Sequence, residues 1–234
     1  MTDRASPAPL SEGWAAHILI DPAYQDGWFI AFAKPFETWI ERQGDDFYLR
    51  SVFFRNCANA KAVRPMAIDI LRVLTGAMSL TLSPHETRVL GVVRVDSNGR
   101  RQITFLAEGG YIRISGSSLT EDGEPAARRA VIRASKSEYL EEALAYFGDQ
   151  GGWFDLYKCI ESVEQWAGGE HKLTSMNLIP AIELKRTKHT ANNMRHARLK
   201  NTAVTNAPSF WEAQDVVRNL LNAALAYQVT VTSP

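Results

Sequence analysis

The chain has 234 residues, 45% of them hydrophobic, which is enough to bury a core in one large domain or two small ones. Its 26 basic and 26 acidic residues cancel, which argues against attraction of the whole protein to nucleic acid or membranes and leaves local charged patches as candidate binding surfaces. The two cysteines stand in no metal-binding spacing, the N-terminal residues lack the apolar core of a signal peptide, and no apolar run is long enough to span a membrane, so we expect a cytoplasmic protein.

The first half of the chain is predicted to be rich in strands. Residues 1–12 are expected to form a flexible N-terminal arm, and a strand-rich α+β module follows at residues 13–120. Strands are predicted at 14–20, 28–34, 45–54, 87–96, 101–106 and 111–116. Asn98-Gly99, between the fourth and fifth of these, is the pair that a type I′ turn prefers. One long helix is predicted from Lys61, and close packing against the sheet explains Gly76 within it.

The second half, residues 121–234, is predicted to be a helical bundle. Four amphipathic helices are expected, at 136–148, 153–169, 178–193 and 210–227. Gly148 is expected at a helix C-terminus, Ser209 and Glu212 match a capping box, and Trp211 begins the apolar stripe of the last helix. The fold class is therefore predicted as α+β: a strand-rich N-terminal module with one long helix, followed by an antiparallel helical bundle of about four helices.

The segment Lys185–Asn201 carries an unusual concentration of positive charge. It holds six lysines or arginines and two histidines, and no acidic residue interrupts it. If the third helix of the second half continues through the segment, residues at steps of three and four fall near one face: Lys185, His189, Asn192, Asn193, His196 and Lys200. Ammonium, imidazole and amide groups on one face suit a polyanion, so we predict a ligand-binding face that also includes Lys188.

The same segment could support metal-independent cleavage of RNA. In that reaction the ribose 2′-hydroxyl attacks phosphorus, His189 or His196 carries the proton, and Arg195 stabilises the growing charge. Arg195 takes this role only if the helix breaks near Asn192, because an unbroken helix places it off the histidine face. The alternatives are a solvated face that complements a helix C-terminus, or an internal network of polar side chains. Histidines seven residues apart are too distant to share one metal ion, so no metal or other cofactor is expected.

A second group of polar residues lies in the helix predicted at 153–169. Tyr157, Glu161 and Glu164 are spaced at i, i+4 and i+7, beside the apolar stripe. A carboxylate there could pair across the bundle with His189 or Arg195, which makes Tyr157 and Glu161 further candidate ligand-binding residues. The alternative is an ordinary helix flank whose tyrosine hydroxyl bonds a neighbour. The first half offers no phosphate-binding glycine loop and no nucleophile motif.

Several motifs along the chain resemble a widespread family of uncharacterised bacterial proteins. The pattern A-x3-L-x2-L-x-G-A-x2-L begins at Ala67, and W-x2-L-Y-K-x2-E begins at Trp153. A Gly-Gly pair at Gly168, K-H-T-A-N from Lys188 and R-H-A from Arg195 follow. The resemblance covers nearly the whole chain and implies a shared fold, but it implies no particular activity.

The second half is also similar, more loosely, to HEPN domains, which are small helical bundles that include RNases and nucleotide-modifying modules of bacterial defence and toxin systems. The number of helices and the arginine, histidine and asparagine content are similar. The HEPN signature R-x4-6-H places the arginine first, whereas here His189 precedes Arg195. The resemblance therefore implies a module that binds RNA or a nucleotide, either with cleavage or as an inactive version.

Two functions from different classes follow. The first is a cytoplasmic bacterial protein whose HEPN-like module binds a phosphate-bearing ligand, RNA or a nucleotide, and whose status as an enzyme stays open. The second is a non-enzymatic interaction or regulatory protein, in which the same residues form an internal network and the partner is another protein. A homodimer is compatible with both, and neither involves a membrane.

Overall fold

The fold of the chain is α+β, as predicted. The structure is a computed structural model, and it describes residues 10–33, 36–82, 85–105, 125–149, 151–195 and 206–232. These residues form two compact units: those within 1–71 and 85–125 make up an N-terminal unit, and those within 72–84 and 126–234 make up a helical unit. The predicted boundary at residue 120 and the strand predicted at 111–116 lie outside the described residues.

The N-terminal unit is built on one antiparallel sheet of five strands. The strands are β1 (Gly13–Ile20), β2 (Thr38–Gln43), β3 (Asp46–Ser51), β4 (Thr87–Val95) and β5 (Arg101–Phe105). Their order across the sheet is β2-β3-β1-β4-β5, so β1 is central. Ala16 of β1 lies opposite Leu49 of β3 and Val92 of β4, and all three side chains are buried. Their sequence neighbours Ala15, Tyr48 and Val93 point to the opposite face and are also buried, in a cluster with Leu10 and Val95, so the sheet buries side chains on both faces.

The strand predicted at 28–34 is instead a helix, α1 (Gln25–Phe32). Its buried residues Trp28, Ala31 and Phe32 stand at helical spacing, i, i+3 and i+4. A short apolar run of this kind fits a buried strand and a buried helix equally well, so periodicity could not separate them. The strand predicted at 45–54 ends at Ser51 and continues as a 3-10 helix, Val52–Asn56. Strand β2 had no sequence prediction.

The hairpin between β4 and β5 is present, but its turn is not of type I′. Only Gly99 has a positive φ, of 76°, whereas a type I′ turn needs one at Asn98 as well. The connection is a five-residue loop in which the Asp96 carboxylate accepts hydrogen bonds from the backbone N–H groups of Asn98 and Arg100, at 2.9 and 2.8 Å. The side chain of Asp96 thus replaces the tighter turn that the Asn-Gly pair predicted.

The helical unit contains the four predicted helices and two short ones. The long helix α2 (Ala60–Ser79) contributes its last residues to this unit, and its earlier residues belong to the N-terminal unit. The others are α3 (Ala126–Ala134), α4 (Glu138–Asp149), α5 (Trp153–Ala167), α6 (Glu170–Ser175), α7 (Ala181–Arg195) and α8 (Phe210–Thr232). Helices α3 and α6 are too short for a stripe of several turns, which is why the pattern did not reveal them.

Two glycines allow α2 and α4 to approach closely. A Cβ atom on Gly76 would lie 1.9 Å from the carbonyl oxygen of Leu144, and one on Gly148 would lie 2.4 Å from the carbonyl oxygen of Arg72. Gly76 therefore packs against α4, not against the sheet, and Gly148 lies inside α4 instead of ending it. Arg72 and the Asp149 carboxylate form an ion pair beside this contact.

The N-terminus of α8 carries the predicted capping box. The Ser209 N–H donates to the Glu212 carboxylate at 2.7 Å, and the Glu212 N–H donates to the Ser209 hydroxyl at 3.3 Å. Trp211, predicted as part of the apolar stripe, is exposed. The buried face of α8 begins at Ala213 and continues through Val217, Leu220 and Leu221.

Candidate functional site

Helix α7 carries most of the predicted site in one unbroken helix. It extends to Arg195, so the helix continues through the first part of the basic segment and does not break near Asn192. Its buried residues Leu184, Thr187 and Ala191 stand at i, i+3 and i+7 and attach one face to the unit. The charged side chains between them are therefore directed away from the core.

A cleft of about 860 Å³ lies along this outer face of α7. Its lining residues come from α5, α6, α7 and the chain before α8: Tyr157, Glu170, Ile182, Glu183, Lys185, Arg186, Lys188, His189, Asn192 and Asn206. Five of the predicted site residues are thus brought together in one open depression of a size that suits a small-molecule or nucleotide ligand.

Three cationic or imidazole groups in the cleft are exposed and uncommitted. The side chains of Lys185, Arg186 and His189 are exposed. Within the described part of the chain, none of them makes a hydrogen bond or an ion pair. Lys185 is close enough to Glu170 to help lower the pKa of that carboxyl, after the larger effects of Lys188. These groups are therefore available to a ligand.

Lys188, in contrast, is committed to the protein itself. Its ammonium group donates to both carboxylate oxygens of Glu164, at 2.7 and 2.9 Å, and to Glu170 at 2.7 Å. Burial raises the pKa of Glu164, and the hydrogen bond from Lys188 opposes this only in part. Burial would lower the pKa of Lys188, but its bonds to the two carboxylates outweigh that effect and raise it. Lys188 therefore serves to attach α7 to α5 and α6.

Arg195 and Tyr157 form a stacked pair at one end of the cleft. The guanidinium carbon of Arg195 lies 3.6 Å from the centre of the Tyr157 ring, and its Nε donates to the side-chain oxygen of Asn192 at 3.0 Å. Burial, followed by a hydrogen bond with Glu161, raises the pKa of the Tyr157 hydroxyl. The pair fixes Arg195 in position and leaves its terminal N–H groups without a hydrogen bond in the described structure.

Glu161 pairs with its own helix and not with His189 or Arg195. Lys158, one turn earlier, donates to its carboxylate at 2.8 Å. Burial raises the pKa of Glu161, but hydrogen bonds from Lys158 and Tyr157 outweigh burial and lower the pKa overall, with a smaller contribution from Arg195. Glu161 therefore stays ionised beside the Tyr157 and Arg195 pair, where it would repel an anion.

The remaining predicted site residues fall in different places. Asn193 is half-buried and is not among the lining residues of the cleft. His196 lies outside the described residues. The sequence prediction did not include Arg186, because it took only residues at steps of three and four from Lys185. Arg186 lies four residues after the exposed Ile182, so the helix face that begins at Ile182 would have included it. Glu170 could not be recognised as a site residue from the sequence. Its contact with Lys188 depends on the turn at Gly168-Gly169, which is a feature of the tertiary structure.

The structure adds two findings about metals and membranes. No cluster of three or more histidine, cysteine or acidic side chains able to hold a metal ion occurs among the described residues. In the same part of the chain, every helix is too short or too polar to cross a lipid bilayer.

Comparison with known proteins leaves the family of the chain undetermined. No protein-family model matches it, and neither a curated protein nor a solved structure is significantly similar to it.

Proposed function

We propose that the helical unit binds a phosphate-bearing ligand, RNA or a nucleotide, in the cleft along α7. The observation that carries the proposal is the exposure of Lys185, Arg186 and His189 on one helix face, with no carboxylate bonded to any of them in the described structure. Lysine and arginine neutralise phosphate oxygens, and an arginine can donate two parallel hydrogen bonds to one phosphate.

Two of the other lining residues, Asn192 and Ile182, suit the remainder of such a ligand. Asn192 offers amide N–H donors to a phosphate or a base edge while its oxygen accepts from Arg195. Ile182 is 78% exposed at the edge of the cleft, so an apolar base or ribose face could cover it. Lys188 is excluded from the ligand-binding set because Glu164 and Glu170 already neutralise it.

Cleavage of RNA is the enzymatic form of this proposal. The 2′-hydroxyl would attack the adjacent phosphorus and the bond to the 5′-oxygen would break, giving a 2′,3′-cyclic phosphate and a 5′-hydroxyl. His189 or His196 would take the proton of the 2′-hydroxyl or return one to the leaving oxygen. Because α7 is unbroken through Arg195, that residue stays off the histidine face, and the guanidinium of Arg186 in the cleft would stabilise the charge that grows on the phosphoryl oxygens.

Fluorescence anisotropy with a labelled single-stranded RNA tests the binding step. The full chain is titrated in EDTA, and Lys185→Ala/His189→Ala is compared with Lys136→Ala, an exposed lysine between α3 and α4. We expect the double variant to bind about tenfold or more weakly, with a shallower salt dependence because phosphate contacts are lost. Equal affinity of the double variant and wild type would overturn the proposal.

The same samples test cleavage. Incubation of the RNA in EDTA, followed by gel analysis, should yield cyclic-phosphate products with wild type and none with His189→Ala/His196→Ala. Binding without products would support the binding function and contradict the RNase form.

The second candidate, a non-enzymatic protein with an internal polar network, is favoured by one observation. Lys188, Glu164 and Glu170 form such a network between α5, α6 and α7. It accounts for one residue of the basic segment and leaves Lys185, Arg186 and His189 unexplained, so we place it second.

The cellular setting that we infer is a bacterial cytoplasm, with a role in defence or toxin systems suggested by the HEPN resemblance. Two cysteines that form no disulfide, Cys57 and Cys159, support a reducing compartment. A protein partner or a second copy of the chain would be compatible with this role.

A further inference from the structure

The N-terminal unit contains a separate cleft of about 1000 Å³ at one end of its sheet. The start of β1, the end of β3 with the 3-10 helix, and the β4–β5 hairpin form its walls. Five arginines line it: Arg50, Arg55, Arg94, Arg100 and Arg101. The acidic side chains among the described lining residues are those of Glu12 and Asp96. The cleft is therefore cationic although the chain as a whole is neutral.

Arg50 is part of the framework of this cleft and not a ligand group. Its side chain is only 3% exposed. It donates to the backbone oxygens of Trp14, at 2.8 Å, and Ser11, and its Nε lies 3.2 Å from the Glu41 carboxylate. Burial raises the pKa of Glu41, but hydrogen bonds from Ser11 and Trp39 and the charge of Arg50 outweigh burial and lower it overall. The charge of Arg50 is thus neutralised by Glu41, and its hydrogen bonds connect the strands that form the wall of the cleft.

Two of the other arginines are free to bind an anion. The side chains of Arg55 and Arg100 are exposed and contact no carboxylate in the described part of the unit. The Asp96 carboxylate forms no ion pair with either side chain in the described structure, and one of its oxygens accepts from the backbone N–H groups of the hairpin loop. Arg94 contributes a third positive charge, since its guanidinium lies 5.2 Å from the centre of the Trp14 ring with no ion pair to a described residue.

Two tryptophans provide flat surfaces beside these charges. The indole N–H of Trp14 donates to the Cys57 carbonyl oxygen at 2.8 Å, and that of Trp39 donates to the Glu41 carboxylate at 3.1 Å. Both rings are half-buried and line the cleft. Hydrogen bonds already fix the planes of the two rings. A ligand that stacks on them therefore does not incur the entropic cost of ordering either ring.

We propose that this cleft binds a nucleotide unit, with its phosphate against Arg55, Arg94 and Arg100 and its base against Trp39. Unpaired guanidinium groups match the geometry of phosphate oxygens, and a fixed indole beside them matches a planar base. A free nucleotide and one nucleotide of a single strand present the same chemistry to the cleft. The proposal does not depend on ligand binding by α7.

The test uses the full chain with Lys185→Ala/His189→Ala as the background, so that the helical cleft, which keeps Arg186, contributes less to binding. Binding of a labelled single-stranded RNA of about twelve nucleotides, a length that spans one such groove, is measured by anisotropy. Nucleoside triphosphate and inorganic tripolyphosphate serve as competitors. The variants are Arg55→Ala/Arg100→Ala, Trp39→Ala and Trp39→Phe, and Arg42→Ala on β2, an exposed arginine outside the cleft, is the matched control.

We expect Arg55→Ala/Arg100→Ala to bind the RNA about tenfold more weakly. The slope of log affinity against log salt concentration should become shallower by about 1.4, that is about 0.7 for each lost phosphate contact to a single strand. Trp39→Ala should lose about fivefold or more, and Trp39→Phe should recover most of it, because stacking needs an aromatic face. Competition by the triphosphate at micromolar concentration identifies a free nucleotide as the ligand, and RNA binding that the triphosphate does not displace identifies a single strand.

Three results would overturn the proposal. The first is absence of binding by the background protein to both RNA and nucleoside triphosphate. The second is an equal effect of Arg42→Ala and Arg55→Ala/Arg100→Ala. The third is equal competition by tripolyphosphate combined with wild-type affinity of Trp39→Ala, which would mean that the cleft binds phosphate without a base. If Trp39→Ala unfolds in circular dichroism, the first two results still decide the proposal, because neither of them uses a Trp39 variant.

Discussion

Lys188 on α7 donates hydrogen bonds to both oxygens of the buried Glu164 carboxylate on α5, at 2.7 and 2.9 Å. The contact shows that the positively charged residues of the basic segment have two different roles. Lys188 attaches the helix to its unit, while Lys185, Arg186 and His189 are exposed along the cleft. Positive charges that look equivalent in the sequence are therefore structural in one case and available for binding in the others.

Removal of Lys188 should destabilise the protein. In Lys188→Met the Glu164 carboxylate stays buried without its partner, and we expect the free energy of unfolding to fall by about 2 kcal/mol. This is less than for a fully buried pair because the Lys188 side chain is 21% exposed. Urea unfolding measures the change. The control Lys185→Met, on the exposed face of the same helix, should stay within about 0.5 kcal/mol of wild type; equal losses in both variants would contradict the assignment.

The contribution of Lys188 to the free energy of unfolding should also depend on pH in the alkaline range. Its pKa in the folded state is raised above the ordinary value of 10.5, so the stabilisation is complete below that value and is lost as the pH rises through the raised pKa. The difference in unfolding free energy between wild type and Lys188→Met should therefore stay constant from neutral pH up to about pH 10 and decrease above it. A difference that already declines near neutral pH would be inconsistent with this pair.

The contact between α2 and α4 should tolerate no side chain at Gly76. The new Cβ atom of Gly76→Ala would lie 1.9 Å from the backbone oxygen of Leu144, so the two helices must separate. We expect a loss of about 3 kcal/mol, although alanine is intrinsically the better helix former. Thermal and urea unfolding measure it, with Asn219→Ala on the exposed face of α8 as the control. Wild-type stability of Gly76→Ala would show that the helices do not meet there.

Replacement of Arg195 distinguishes the two candidate functions by stability. Arg195→Ala removes the guanidinium from the Tyr157 ring and should cost about 1 kcal/mol, as expected for a partly exposed cation–π contact. Arg195→Lys should recover only part of it, because an ammonium group cannot stack as a plane. A loss of several kcal/mol, measured against Lys136→Ala, would instead favour a buried internal network.

Local sequence signals predicted the elements that depend on neighbouring residues. The amphipathic helices α5, α7 and α8 and the capping box of Ser209 and Glu212 are all formed by residues within a few turns of each other. Spacing and side-chain chemistry are enough to recognise such features.

Features that depend on tertiary contacts were not predictable in this way. Lys188 and Glu164 are 24 residues apart, and Arg55 and Arg100 meet in one cleft only because the sheet brings β3 and the β4–β5 hairpin together. Helix α1 was mistaken for a strand because Trp28 and Phe32 belong to a run too short for its period to be read. Gly76 was recognised as a close contact, but the sequence could not show which element it touches.

The most direct test of ligand binding by α7 is the NMR signal of the His189 imidazole in the full chain during titration with single-stranded RNA. The signal is assigned by its loss in His189→Gln, and His17 in the N-terminal unit provides an internal reference. We predict that the His189 ring signals shift and saturate with the ligand while those of His17 stay in place. Binding of the RNA by anisotropy without any change at His189 would contradict the proposed site.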